Sequence, residues 1–227
     1  MRRHPPVSPP VIIAPGRRHH GAPIGYPDEH VVQAKITIQG IDPPIWRQLL
    51  LPLTLNLAGL HEVIQAAFGW TDSHLHQFII GGLIYGAPEF DEDGQSTHAT
   101  FEATDVLLRD FDLFHVRNPE FLYEYDFGDG WMHLIEFETT RPIDPDIKYP
   151  IGIAGARHGP PEDVGGVTGY ADFLEAWSNP EHEEHRALRT WVGRRFSPER
   201  FDLDATNKAI RSALRKARGG YRFRLEP

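Results

Sequence analysis

Cysteine is absent from all 227 residues, and that single absence removes disulfides, thiolate metal sites and cysteine nucleophiles together. Any metal must sit on His, Asp or Glu. No stretch comes near the roughly 18 consecutive apolar residues that a membrane helix needs, so no membrane partner is expected. Basic charge is also scarce: 23 Lys and Arg against 32 Asp and Glu leave a net charge of −9, which argues against a general nucleic-acid coat. The exception is the end of the chain, where Lys208, Arg211, Arg215, Lys216, Arg218, Arg222 and Arg224 follow one another with no intervening acid. That run is either a solvated helix face and tail or a contact for nucleic acid or an acidic partner. Complete catalytic signatures are missing too. There is no GxSxG elbow, no P-loop and no HExxH. Asp126-Phe127-Gly128 evokes a kinase magnesium motif but lacks the glycine loop, strand lysine and HRD loop that such an enzyme requires.

What is present is a globular composition, 40% hydrophobic, long enough to bury a real core and rich in turns, with 20 Pro and 21 Gly. Residues 1–28 carry five prolines before Gly16, then Arg17, Arg18, His19 and His20, with no apolar period. They are expected to form a disordered leader. The apolar patch Val11 to Ala14 is too short for a signal peptide, so a cytoplasmic location is expected. One domain is expected over 29–218, with 219–227 as a tail.

Within that domain, Val32, Ala34, Ile36 and Ile38 alternate, and IWRQLLLP follows a proline turn, which predicts two paired strands. Leu57, Leu60, Ile64 and Ala67 fall at helical spacing between an N-cap at Asn56 and a stop at Gly69. LHQFIIGGLIYG predicts a strand, a Gly81-Gly82 turn and a return strand. The acidic EFDEDGQSTHATFEA predicts a loop, and ATDVLLRD a helical turn capped by Thr104 or Asp105. Phe121, Tyr123, Tyr125 and Phe127 alternate before Gly128-Asp129-Gly130, and Met132, Leu134, Ile135 and Phe137 continue beyond it, which is a strong hairpin signal. Residues 141–170 read as one long Pro/Gly loop, followed by helices over 171–177, 183–192 and 205–217, the last capped by Asp204. The fold class is α+β: a mostly antiparallel sheet, one helix packed across it, and a C-terminal helical section.

Chemistry concentrates in a few places. His74 and His76 are two apart, so in an extended segment both imidazoles face one way, as two ligands of one metal would. Asp72 adjoins them, and His61, Asp126, Asp129 and His133 are candidates to approach; zinc, manganese or iron suits such a set. The plainer alternative has Asp72 and Ser73 capping a turn, a histidine bonded to a buried carbonyl, and Asp129 as a turn residue. Glu162 and Asp163, in a glycine-flanked loop, are candidate ligands or a general base, or else caps of the helix that follows. His133 is a further acid–base candidate. Trp46-Arg47 is expected to pack the tryptophan under the arginine stem.

GIDPPIWRQLLLP, LHEVIQAAFGWTDSHLHQF, FLYEYDFGDGWMH, PPEDVGGVTGY and FDLDATNKAI together resemble the plasmid pRi ORF-three-like family, collinearly from about Val32 to Leu214. Members also occur as the passenger protein of a mycobacterial insertion element, under the label TnpR. The resemblance implies an α+β fold and an association with mobile elements, but no established activity, and no serine-recombinase motif accompanies the label. Relatives often carry cysteines near the positions of Gly152, Gly159 and Val164 and a basic residue at Met132. The resemblance therefore implies no thiolate zinc here and leaves His61, Asp72, His74, His76, Asp126, Asp129 and His133 as the shared candidate site. Three functions are carried forward: an accessory module contacting protein or nucleic acid, a metal-dependent enzyme such as a hydrolase, and a DNA-associated protein using the basic C-terminal helix.

Overall fold

The computed structural model describes residues 29–86, 100–113, 116, 119–193 and 196–221. The expected leader, most of the acidic loop and residues 222–227 lie outside them. The described residues form one eight-stranded sheet, antiparallel throughout except for one edge pair, with four α-helices. This is the α+β class that the sequence predicts.

The proline turn works as expected: β1 (His30–Ile38) pairs antiparallel with β2 (Trp46–Pro52), and Val32, Ala34, Ile36 and Ile38 are all buried. Asn56 caps α1 (Leu57–Phe68) by accepting from the Gly59 amide at 2.8 Å, and Gly69 ends it in the left-handed region that only glycine enters freely. α1 is apolar nearly all round and correspondingly buried, with α4 (Leu203–Tyr221) packed against it. β3 (His76–Ile80) and β4 (Leu83–Gly86) form the second hairpin. β6 (Glu120–Tyr125) and β7 (Trp131–Pro142) form the third, and with β5 (Thr100–Glu102) and β8 (Ile151–Ala156) at the two edges the sheet order is β5-β4-β3-β6-β7-β1-β2-β8.

Within the sheet and its connections, four details differ from the sequence reading. The inward residues of β7 are Trp131, His133, Ile135 and Phe137, so Met132 and Leu134 face the other side. Pairing with β6 sets that register, and hydrophobicity alone could not, because the strand is apolar on both faces. Thr100–Glu102, placed in the loop, form β5, parallel to β4. The expected turn at 103–110 is a 3-10 turn at Leu108–Asp110, where the Asp110 carboxylate accepts from the Leu107 amide at 2.8 Å. Ile151–Ala156, read as loop, form edge strand β8 on β2. Its glycines hid the strand signal, and one of them, Gly155, leaves room for the Phe201 ring.

The helices follow: α2 (Gly166–Ser178), α3 (His185–Trp191) and α4 (Leu203–Tyr221). α4 is capped by Asp202, which accepts from the Ala205 amide at 3.0 Å, while Asp204 sits in its first turn. α4 runs past residue 218 into the expected tail. The core joins inward side chains of the sheet, such as Ile36, Leu49, Phe78, Tyr123 and Trp131, to Leu60 and Ile64 of α1.

Candidate metal centre

Residues 70–75, between α1 and β3, run beside the central hairpin, where the Asp126 amide donates to the Leu75 carbonyl. Asp72 has a left-handed backbone, φ 59°, and β3 begins only at His76, so the two-residue alternation of a strand does not reach back to His74. As a result His74 and His76 do not share a site. His76 joins His61 and Asp72, and His74 joins Asp126 and Asp163; in each set the ligand atoms lie within 4.8 Å of one another.

In the first set, His61 Nε2 is 2.9 Å from an Asp72 oxygen and Nδ1 is 2.8 Å from the Tyr123 hydroxyl. Gln65 donates to that hydroxyl at 3.1 Å and accepts from the Asp72 amide at 2.9 Å. One buried amide therefore holds both the orienting tyrosine and the aspartate. Burial raises the Tyr123 pKa well above the phenolic value, so the hydroxyl keeps its proton and can direct either tautomer of His61. The His76 ring lies flat on His61, and burial pushes its pKa down to about 3, with the nearby His61 acting in the same direction. His76 is thus neutral at physiological pH, with a nitrogen lone pair available. Two imidazoles and a carboxylate, with a hydrogen-bonded outer shell, are the donor types that zinc or iron takes.

The second set is more open. His74 Nε2 lies 2.8 Å from Asp163 and 3.6 Å from Asp126. Asp126 spends one oxygen on the amides of Gly128 (3.0 Å) and Asp129 (3.3 Å), which shapes the hairpin turn and leaves the other oxygen facing His74. Asp126 and Asp163 also have left-handed backbones, at φ 55° and 59°. Together with Asp72, three of the four non-glycine residues with positive φ among the described residues are the aspartates of these two sets.

The remaining candidates sit elsewhere. Asp129 accepts from the Gly165 amide at 3.0 Å and braces the hairpin turn against α2. His133 is fully buried, its ring edge-on to Phe68 and Trp70, its Nδ1 3.1 Å from the Trp131 carbonyl, and its pKa pushed down to about 4 by burial. Glu162 accepts from the Thr71 hydroxyl at 2.6 Å, from the Thr71 amide at 3.1 Å and from the Tyr125 hydroxyl. Those bonds leave it little capacity to take a substrate proton and make it the clamp between the two loops. Arg47 and Trp46 point to opposite faces of β2: Lys35 lies over Trp46, while Arg47 is buried between Phe68 and Phe201. Tyr123 and Gln65 escaped the sequence reading. Their signal was only an inward tyrosine on β6 and a glutamine on the buried side of α1.

The chain is similar to known proteins in both sequence and fold. The family model described as plasmid pRiA4b ORF-3-like protein matches residues 30–205. The uncharacterized protein y4hQ of Sinorhizobium fredii (strain NBRC 101917 / NGR234) is 38% identical over 184 residues, covering 79% of this chain and 90% of its own. The crystal structure of MM3350 from Methanosarcina mazei Go1, a protein of unknown function, superposes with a TM-score of 0.68 at 37% identity, covering 78% of this chain and 96% of its own. No helix among the described residues is long and apolar enough to cross a membrane. With the family model matched over most of its length, the chain belongs to the plasmid pRiA4b ORF-3-like family.

Proposed function

We propose that this family member is a metal-binding accessory module whose divalent ion is held by His61, Asp72 and His76. The His74–Asp126–Asp163 set offers a second, more open position beside it. The observation that carries this reading is the shared arrangement of the loop: one turn through a left-handed aspartate delivers a histidine to each of two His/Asp sets. The Tyr123–Gln65 network supports it, because ligating histidines usually have their other ring nitrogen held in this way. Binding at His61 Nε2 requires the ring proton to move to Nδ1, where it donates to the Tyr123 oxygen. His76 must turn off the His61 face for its lone pair to converge. Residues 29–218 are taken as the functional unit and the cytoplasm as its location, which cell fractionation tests.

The test is metal content of tag-free protein by plasma mass spectrometry, for the wild type, His61→Ala/His76→Ala and His74→Ala. Near-stoichiometric zinc, iron or manganese that disappears in the double variant is the expected result. Metal content equal in all three folded proteins, or nil in the wild type after incubation with each ion, sinks the reading. The same ion would serve an enzyme, and the loaded protein is the form in which hydrolase substrates should be screened.

A second reading rests on α4. Lys208, Arg211, Arg215 and Lys216 are all exposed on that helix, with Lys208, Arg211 and Arg215 along one side of it. A nucleic-acid or acidic-protein contact there predicts duplex binding that weakens steeply with salt and is lost in Lys208→Glu/Arg211→Glu/Arg215→Glu. Absence of a mobility shift at low ionic strength would end this idea.

A further inference from the structure

Away from the metal sets, a cavity of about 540 Å³ opens between the end of α1, the loop after β8 and α4. That volume lies within the about 300–1,000 Å³ typical of small-ligand sites. Arg47 is part of its wall yet only 3% exposed. Of the five guanidinium N–H donors, Nε donates to the Ala67 carbonyl at 2.8 Å, and Nη1 to the Trp46 and Ala156 carbonyls at 2.8 and 2.9 Å. Among the described residues Nη2 meets no acceptor and no carboxylate pairs with the charge. The acid that shares the cavity, Asp202, is already committed to the Ala205 amide and to Arg200, at 3.0 and 2.8 Å. A buried cation without a counter-charge is costly and is retained where something anionic meets it.

The rest of the wall indicates the body attached to that anion. Phe68 and Phe201 cover the guanidinium faces at 4.8 and 4.6 Å, and Phe196 lies against His158 at 4.8 Å. His158 places Nδ1 on the Gly159 carbonyl at 2.7 Å, which leaves Nε2 for a ligand. Thr206 adds a hydroxyl from α4. We infer that this cavity binds a small organic acid, a carboxylate or phosphate monoester on a flat apolar body, with the acid group on Arg47 Nη2 and the body against the Phe196 ring in the open part of the cavity. The inference is independent of the metal reading.

The experiment is isothermal titration of the full chain with benzoate, phenyl phosphate and the uncharged benzamide. At least one of the two acids should bind about tenfold or more tightly than benzamide, the worth of one charge-assisted hydrogen bond. Which acid binds tighter distinguishes a carboxylate from a phosphate. Ala209→Phe, which fills the cavity without touching the Arg47 bonds, should abolish binding. Ala205→Trp, at an exposed position on the same wall, repeats the block should the first variant misfold. Acids no tighter than benzamide, or binding unchanged in a folded blocked variant, would overturn the inference.

Discussion

His61 and His76 stack with ring centroids 3.5 Å apart and planes 9° from parallel, while both nitrogens of His61 are already engaged, by Asp72 and by Tyr123. Parallel rings point their lone pairs side by side rather than toward one centre, so an ion must unstack the pair. In long-range imidazole nitrogen–proton spectra, zinc should therefore shift the His61 and His76 signals together and leave those of the buried His133 in place. Movement of His133 with the other two would contradict the separation described here.

Tyr123→Phe tests the outer shell. The ring stays in the core, while His61 and Gln65 lose the hydroxyl they share. Zinc affinity, measured against a chromogenic chelator, should fall about 10- to 100-fold. Stability should fall by only about 1–3 kcal/mol. An unchanged affinity would show that Tyr123 does not orient the ligand.

His133 predicts a pH effect on folding. Unfolded histidine takes up its proton near about pH 6.5, whereas burial delays the folded residue to about 4. Between those values the unfolded state binds more protons, so stability falls as pH falls, by up to about 1.4 kcal/mol per pH unit. Denaturant unfolding at pH 7 and pH 5 should show this slope, and His133→Leu should flatten part of it.

Gly159→Ala should be severe for a steric reason. The added Cβ would lie 2.0 Å from the Phe68 carbonyl oxygen, a backbone atom that cannot step aside. A loss of about 1–3 kcal/mol or more is expected from thermal or denaturant melts. Gly82→Ala, with open space around its Cβ but a φ of 81°, should cost only about 1–2 kcal/mol of backbone strain.

The hairpins, α1 with both its caps and the α+β class were legible because each rests on local periodicity and turn chemistry: Val32 to Ile38, Asn56, Gly69 and Gly81-Gly82 all behave as their residue types predict. The membership of the site was half legible. His61, Asp72, His74, His76, Asp126 and Asp163 are among the candidates the sequence suggests, whereas Asp129 and His133 stand apart, and the division into two sets goes with His74 lying outside the strand that begins at His76. β8 and β5 were hidden for related reasons. An edge strand such as Ile151–Ala156 can be rich in glycine because only one side of it pairs, and a three-residue strand has no period to detect.

The strand order also bears on how the chain is made. β1 and β2 can pair as soon as both have left the ribosome, yet the other edge of β1 is filled only by β7, where His30 meets Pro142. The edge of β2 waits longer still, for β8. Until then the apolar faces of the N-terminal hairpin and of α1 have lost their aqueous shell on neither side, and the open edges offer templates to other chains. A chain of this topology cannot cover both edges of its first hairpin until residue 156 has been made, so that hairpin is the part of the fold completed from furthest along the sequence.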